Sequence, residues 1–240
     1  LGQGGGGVGA GRGGDRRGGA SVRCIGFDWH RWHAAYGDPA HPLLARRACV
    51  SAIVRDTMDA APAGPIRCLS LCAGTAEDLA GAAAGHPRGA DLTGVAVELD
   101  RELAEQATGH LATTAPGMRV VCGDAARPSN WFDGTPVDLL LLVGIFGNIS
   151  DEDVRATVAA VPSLAAAGAI VIWSRHRREP DLTPTIRQSF TAAGCIEAGF
   201  ESPGPGEWSV GWSRVGTTTG PTGQTGPTGP PAEPLFTFIR

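Results

Sequence analysis

Near-continuously apolar runs alternate with helix-like segments through the middle of the chain, and this alternation constrains the fold more than any other feature. The runs are IRCLSLC, LTGVAVEL, MRVVC, VDLLLLVGIF and AIVIWSR. Strands that are apolar on both faces are typical of parallel sheets covered by helices on both sides. The sequence therefore predicts an α/β protein with a doubly wound, mostly parallel sheet.

The segments around these runs predict helices: LLARRACVSAIVRDTMDAA, AEDLAGAAAG, RELAEQATGHLATT, DEDVRATVAAVPSLAAA and TPTIRQSFTAAG. Ser150 with Asp153, and Thr183 with Pro184, are start signals for the last two helices. Beyond them, CIEAGFES and EWSVGWSRV flank the turn residues PGPG. This pattern predicts an antiparallel hairpin that completes a seven-stranded sheet.

The composition excludes several classes of protein. All 20 basic residues are arginine, which removes lysine Schiff bases and the lysine of phosphate-binding loops. A net charge of -4 gives no tendency to bind nucleic acid. The six cysteines lack metal-ligand spacing, so we expect packed thiols and no metal site. Without a membrane-length apolar run or a signal peptide, the protein is expected to be cytoplasmic.

Four regions are predicted along the chain. Residues 1–20 form a Gly/Arg-rich disordered tail, and residues 21–62 form a helical lid. Residues 63–215 form the α/β core. Residues 216–240 combine a Gly/Pro/Thr connector with a short terminal strand, LFTFI.

A nucleoside site is predicted at the carboxyl edge of the sheet. The first strand runs into a turn of small residues, Cys72, Ala73 and Gly74, and then into a helix. Such a turn lets a ligand approach the backbone at a helix N-terminus. Glu98 ends the next strand, where a carboxylate can accept hydrogen bonds from ribose hydroxyls. Together these residues predict a site for an adenosyl group.

Other residues at this edge have two interpretations. Glu77 and Asp78 at the helix start either pair with a cofactor amino group or stabilise the helix dipole. Asp124 either accepts a hydrogen bond from an adenine amino group, with Ala125 along the ring, or forms a Gly-Asp turn. The set of predicted cofactor-binding residues is completed by Leu99, Gly123, Gly144 and Phe146.

From about Trp29 to Val215 the chain resembles class I S-adenosylmethionine-dependent methyltransferases. The strings LSLCAGTAEDL, VELD, GDA, VGIFGNISDEDV and IVIWSRHRREPDLTP are similar to a family of predicted methyltransferases common in actinobacteria. The resemblance implies a Rossmann-like methyltransferase fold, S-adenosyl-L-methionine as cofactor, and methyl transfer to a small-molecule acceptor such as a specialised metabolite.

The turn after the first strand departs from the usual pattern of this superfamily. Cys72 and Ala76 stand where glycine is common, and only Gly74 is retained. Because residues with a Cβ do not adopt positive φ cheaply, we expect this loop either to follow a slightly different path or to hold the methionine part of the cofactor less closely.

Candidate substrate-binding residues lie in three segments. Trp29, His33 and Tyr36 lie in FDWHRWHAAYGDP, which is a candidate lid and substrate wall or simply a packing element. Asn148 follows the fourth strand, where it would line the transfer channel. Arg175 and His176 follow the fifth strand, either in a solvated basic loop or as an anion clamp and a general base.

Two other classes remain open. A non-catalytic module would bind adenosyl ligands without turnover. An NAD-dependent oxidoreductase would need a fuller glycine fingerprint and a tyrosine-lysine pair or its equivalent. For partners, we expect a small molecule, neither nucleic acid nor membrane, and we leave a homodimer open.

Overall fold

The computed structural model describes Leu1, residues 41–217 and residues 231–239, and its centre is a single sheet. The strands are β1 (Ile66–Leu71), β2 (Leu92–Glu98), β3 (Gly117–Cys122), β4 (Val137–Leu142), β5 (Ala165–His176), β6 (Cys195–Glu201) and β7 (Trp208–Val215). They form a 7-stranded sheet in the order β3-β2-β1-β4-β5-β7-β6. Strands β1 to β5 are parallel, and β7 lies antiparallel between β5 and β6. The predicted sheet and its C-terminal hairpin are confirmed.

Five helices flank the sheet in the part of the chain described. They are α1 (Pro42–Ala60), α2 (Glu77–Ala83), α3 (Arg101–Thr114), α4 (Asp151–Leu164) and α5 (Thr183–Ala192). Ser150 caps α4 as predicted, since its Oγ accepts a hydrogen bond from the Asp153 amide at 3.0 Å. At the start of α5 the Asp181 carboxylate accepts hydrogen bonds from the Thr183 amide and hydroxyl, at 3.0 and 2.7 Å.

Helix α4 ends earlier than its alanine-rich sequence suggests. We expected the helix to continue to Ala167, but it ends at Leu164 and Ala165 begins β5. Pro162 lies in the last turn and has no amide to donate, so the helix loses a hydrogen bond there. The following alanines therefore extend the strand in spite of their helix propensity.

Each face of the sheet has its own apolar core. Helices α1, α2 and α3 cover one face, over buried residues such as Cys68 and Leu139. On the other face α4 and α5 pack over residues such as Leu69 and Leu140. Of the five cysteines described, all are free thiols; Cys122 is exposed, contrary to the expectation that the thiols are packed.

The C-terminal strap, residues 231–239, completes the second face. Leu235 and Phe236 are buried in the core beneath α4. The predicted terminal strand LFTFI does not join the sheet, and its pairing is an isolated antiparallel bridge between Phe238 and Ile149. Within residues 41–217 and 231–239, no helix is long and apolar enough to cross a membrane.

Candidate functional site

The carboxyl ends of four parallel strands bring the predicted site residues to one edge of the sheet. Strands β1 and β4 are neighbours there, and the order of strands reverses between them. Ligands of doubly wound proteins bind outside the strand ends at such a reversal. The loops that meet at this point are residues 72–76, 98–100, 123–127 and 144–149.

The loop after β1 takes left-handed backbone conformations in spite of its sequence. Cys72 has φ of 54° and Ala76 has φ of 53°, close to the 56° of Gly74. Cys72 and Ala76 thus adopt positive φ in spite of their side chains; whether the loop follows a different path from that of related enzymes stays a prediction. The Ala76 amide bonds to the Ala73 carbonyl at 2.9 Å, which holds the turn against the local strain.

Replacing Cys72 by glycine is expected to give a more stable protein than replacing it by alanine. A left-handed residue with a Cβ costs about 1–2 kcal/mol, and glycine gives back about 0.4–1 kcal/mol through unfolded-state entropy. Cys72→Gly should therefore raise the free energy of unfolding by roughly 0.5–1 kcal/mol relative to Cys72→Ala, which keeps the Cβ. Urea denaturation of the two variants measures the difference, and equal stabilities would show that this backbone is not strained.

Glu98 joins the loops that follow β1, β2 and β3. Its Oε2 accepts a hydrogen bond from the Gly74 amide at 2.8 Å, and its Oε1 accepts one from the Asp100 amide at 2.9 Å. The Glu98 carbonyl accepts a hydrogen bond from the Gly123 amide at 2.8 Å. Glu98 is only 9% exposed, so this carboxylate is a built part of the edge and not a solvated strand end.

The Glu98 carboxylate can bind further donors. Burial raises the pKa of Glu98, while hydrogen bonds from the backbone amides of Asp100 and Gly74 act to lower it. An ionised carboxylate has about four acceptor sites; the amides of Gly74 and Asp100 occupy two of them, and the Leu99 amide also acts on the carboxylate. Acceptor capacity remains for a ligand hydroxyl, whose hydrogen bond would favour the ionised form.

Leu99 is an apolar residue open to solvent beside this carboxylate. It is 39% exposed, whereas Val97 before it is fully buried. Asp100 accepts hydrogen bonds from the Glu102 and Leu103 amides at 2.9 and 3.1 Å, which caps α3 as expected. The arrangement places an apolar surface and a buried carboxylate side by side, as recognition of a nucleoside base and its ribose requires.

Asp124 forms a turn at the end of β3. Its Oδ1 accepts a hydrogen bond from the Ala126 amide at 2.9 Å, and Arg127 lies 3.5 Å from its Oδ2. This matches the turn interpretation, with the carboxylate still partly open. The Ala125 side chain is 3% exposed and packs in the core, so its backbone is the part nearest to any ligand at this edge.

The loop after β4 is held by hydrogen bonds within itself and from β5. Gly144, at φ of 80°, donates its amide to the Ser174 hydroxyl at 3.0 Å. The Asn148 side-chain amide donates to the Gly144 carbonyl at 2.8 Å. Arg175 donates to the Phe146 carbonyl, so in this structure it ties the loop to β5.

The Phe146 ring lies away from the edge. It is fully buried between Trp173 and Phe190, with ring centroids 6.2 and 6.5 Å away. We expected this ring to bind the cofactor, but the apolar cluster under α5 takes it up instead. Only the backbone of Phe146 remains near the site.

His176 lies against the same loop. A Cβ built on Gly147 would be 3.4 Å from the His176 Cδ2 atom, so glycine lets the ring approach. The Arg178 amide donates to His176 Nδ1 at 3.3 Å. This bond requires an unprotonated Nδ1, so the neutral ring carries its proton on Nε2. With the proton on Nε2, that nitrogen can only donate; acting as a base at Nε2 would require the other tautomer.

Helix α1 meets the first turn of α2 at this edge, a contact that sequence reasoning missed. Arg47 forms an ion pair with Glu77. Burial raises the pKa of Asp78, while the Leu79 amide and the charge of Arg46 act to lower it. Asp78 thus interacts with its own helix and with α1, which favours the helix-stabilising interpretation. No short-range pattern signals a contact between residues so far apart in sequence.

Three candidate substrate residues, Trp29, His33 and Tyr36, lie outside the described residues, as do most of the predicted tail and connector. The described residues 41–62 of the proposed lid are mainly α1. Within the chain as described, no group of three or more His, Cys, Asp and Glu side chains is arranged to hold a metal ion.

Several solved structures with a similar architecture are described as methyltransferases. The carbon methyltransferase CurJ has a TM-score of 0.60 and 12% identity, over 79% of this chain and 59% of that chain. The magnesium protoporphyrin IX methyltransferase ChlM from Synechocystis PCC 6803, with bound SAH, has a TM-score of 0.59 and 14% identity. The match covers 78% of this chain and 93% of that chain. The 1,6-didemethyltoxoflavin-N1-methyltransferase from Burkholderia thailandensis, with bound 1,6-didemethyltoxoflavin and S-adenosylhomocysteine, has a TM-score of 0.58 and 15% identity. The match covers 78% of this chain and 84% of that chain.

These similarities concern architecture. No protein-family model and no curated protein matches the sequence. The strand order of this chain, its terminal antiparallel strands and its structural similarity to ChlM confirm the predicted Rossmann-like methyltransferase fold.

Proposed function

We propose that the protein is an S-adenosyl-L-methionine-dependent methyltransferase that acts on a small-molecule acceptor. The observation that carries the proposal is the buried carboxylate of Glu98, which is bonded to the glycine-loop amide of Gly74 beside the exposed side chain of Leu99. Similar structures that hold S-adenosylhomocysteine support the same cofactor. The resemblance to predicted actinobacterial methyltransferases points to the same activity.

The residues at this edge fit an adenosyl cofactor. Glu98 would accept hydrogen bonds from the ribose hydroxyls, and Leu99 would pack against the adenine. Asp124 would accept a hydrogen bond from the adenine amino group, next to the backbone of Gly123 and Ala125.

The loop of Cys72, Ala73 and Gly74 brings backbone close to the position of the amino-acid part of the cofactor. Gly144 and the backbone of Phe146 border the site from β4.

The bound cofactor would supply an electrophilic methyl group, and the protein's own task is alignment of the acceptor and exclusion of water. Asn148 and Arg175 shape the loop on the acceptor side through their bonds to Gly144 and Phe146. His176 would take a proton from the acceptor through Nε2 only in the tautomer in which Nε2 is unprotonated. That tautomer carries its proton on Nδ1, so the hydrogen bond from the Arg178 amide to Nδ1 must first break.

Affinity for S-adenosylhomocysteine is expected to fall as the solution is acidified. Burial raises the pKa of Glu98 above its ordinary value. Ribose hydroxyls donate to the ionised form, so protons and ligand compete for this carboxylate. Kd should therefore increase by up to about tenfold per pH unit below the raised pKa. Calorimetric titrations across pH measure the profile; a flat profile that matches Glu98→Gln would contradict this role.

The proposed activity is tested by transfer of a labelled methyl group. The protein is incubated with methyl-labelled S-adenosylmethionine and, separately, with a small-molecule extract, total protein and total RNA. We expect label in the small-molecule fraction. Label in RNA alone would overturn the acceptor class, whereas tight cofactor binding with no label in any fraction would favour a non-catalytic module. Saturable binding of NADH instead of S-adenosylhomocysteine would favour an oxidoreductase.

A further inference from the structure

The C-terminal strap occupies the position of a helix that the fold lacks. The connections from β1 to β2, from β2 to β3 and from β4 to β5 each contain an α-helix. Between β3 and β4 there is only a 3-10 turn, Pro128–Asn130, so part of the sheet face would be uncovered. Leu235 and Phe236 fill this space and are buried in the core with Val154 and Val158 of α4.

The first half of the strap is attached to the loop after β3. The Ser129 amide donates to Glu233 Oε1 at 2.6 Å. The Leu235 amide donates to the Ala126 carbonyl at 2.8 Å. These bonds hold the residues that directly follow Asp124, on the adenine side of the proposed site.

The second half of the strap runs along α4 to the loop after β4. The Thr157 hydroxyl donates to the Leu235 carbonyl at 3.2 Å, and the Thr237 amide donates to Asp153 Oδ2 at 3.1 Å. At its end the Ile239 amide donates to the Asn148 carbonyl at 2.9 Å. Phe238 forms the bridge with Ile149, so the strap ends on the acceptor side of the same site.

The loop that receives the end of the strap needs such support. Residues 144–149 include Gly144 in a left-handed conformation and a second glycine, Gly147. Glycine is the residue with the most backbone freedom to lose on ordering. The backbone of Asn148 is fixed from inside the loop by its bond to the Ile145 carbonyl and from outside by Ile239.

We propose that Phe238 and Ile239 are positioning residues for this site. Through their backbone they hold Asn148 and Ile149, and so set the loop that borders both the cofactor and its acceptor. The role of these residues in ligand binding rests on the proposed function. Their role in fixing the conformation of residues 144–149 is independent of it. The Ile239 side chain is 63% exposed, which leaves its amide as the group that acts on the loop.

The experiment compares four proteins: wild type, Ile239→Pro, Ile239→Ala and a deletion of residues 238–240. Proline removes the amide donor and alanine keeps it. Hydrogen exchange is followed in residues 144–150, with residues 126–132 as an internal reference that Glu233 and Leu235 still hold. Unfolding midpoints and Kd for S-adenosylhomocysteine are measured on the same samples.

We expect Ile239→Pro to exchange about tenfold faster in residues 144–150, with the reference segment and the midpoint almost unchanged. The deletion should show the same faster exchange and also a lower midpoint, because it removes the Phe238 ring that packs against Phe236 and the core. The Kd of both should rise about five- to tenfold, while Ile239→Ala matches wild type. Unchanged exchange in residues 144–150 would overturn the hold on the loop. Faster exchange with an unchanged Kd would overturn the positioning role. If wild type binds no S-adenosylhomocysteine, the proposed function fails, and the exchange result alone still decides whether the strap holds the loop.

Discussion

Glu98→Gln is expected to weaken binding of S-adenosylhomocysteine by about 30- to 700-fold, or about 2–4 kcal/mol. The carboxylate already receives the Gly74 and Asp100 amides, at 2.8 and 2.9 Å. Glutamine has a single acceptor oxygen, and its amino group would face donors. The variant therefore loses a charge-assisted bond to the ribose and leaves a buried donor without an acceptor.

A matched control shows whether the effect of Glu98→Gln depends on the position of the carboxylate or only on the loss of one negative charge. Glu105→Gln makes the same chemical change on the exposed surface of α3, and we expect its affinity to equal that of wild type. Denaturant midpoints of both variants show whether the fold is retained.

The ribose contact itself is tested with a second ligand, S-(2′-deoxyadenosyl)homocysteine. Wild type should bind this ligand more weakly than the parent compound. In Glu98→Gln the same change of ligand should cost much less, because the partner of the hydroxyl has already been altered. Equal losses in the two proteins would mean that Glu98 acts on the loop alone and does not contact the sugar.

Gly94→Ala is expected to prevent stable folding, whereas Gly64→Ala is expected to be tolerated. The two glycines have nearly the same positive φ, 117° at Gly94 and 112° at Gly64, which side chains rarely adopt. A Cβ at Gly94 would lie 2.1 Å from the Cys68 carbonyl oxygen in the neighbouring strand, while a Cβ at Gly64 meets nothing within 4 Å. Both substitutions therefore place an alanine at an unfavourable positive φ, and only Gly94→Ala also adds a steric clash with the neighbouring strand.

Gly64→Ala should lose about 1–3 kcal/mol, the cost of an unfavourable backbone conformation. Gly94→Ala should lose more than about 4 kcal/mol, because the contact is with backbone that cannot move without breaking the pairing of β1 and β2. Soluble yield and urea denaturation followed by circular dichroism measure both. Equal stabilities of the two variants would show that the strands separate easily at Cys68.

The regular elements follow from local patterns, and so they were predictable. Apolar runs and capping residues such as Ser150 carry their signal within a few residues, and the hairpin follows from its turn residues. The position of Glu98 at the carboxyl edge of the sheet is predictable because Glu98 is the last residue of a parallel strand, β2. The irregular end of α4 did not follow, because the alanines that join β5 favour a helix when judged locally.

The parts that could not be predicted depend on contacts between distant residues. Nothing near Phe146 indicates that its ring turns into a cluster with Trp173 and Phe190. The left-handed conformation of Cys72 contradicts its local preference and is imposed by the surrounding loop. The strap resembles an ordinary terminal strand until its contacts with Ala126 and Asn148 are known.

A calorimetric titration of the full-length protein with S-adenosylhomocysteine at neutral pH tests the central claim most directly. A buried carboxylate beside an exposed leucine at a strand-order reversal predicts saturable binding of one ligand per chain, with NADH failing to compete. No binding at ligand concentrations up to the millimolar range, about 4 kcal/mol of affinity, would contradict the assignment of this sheet edge as an adenosyl site.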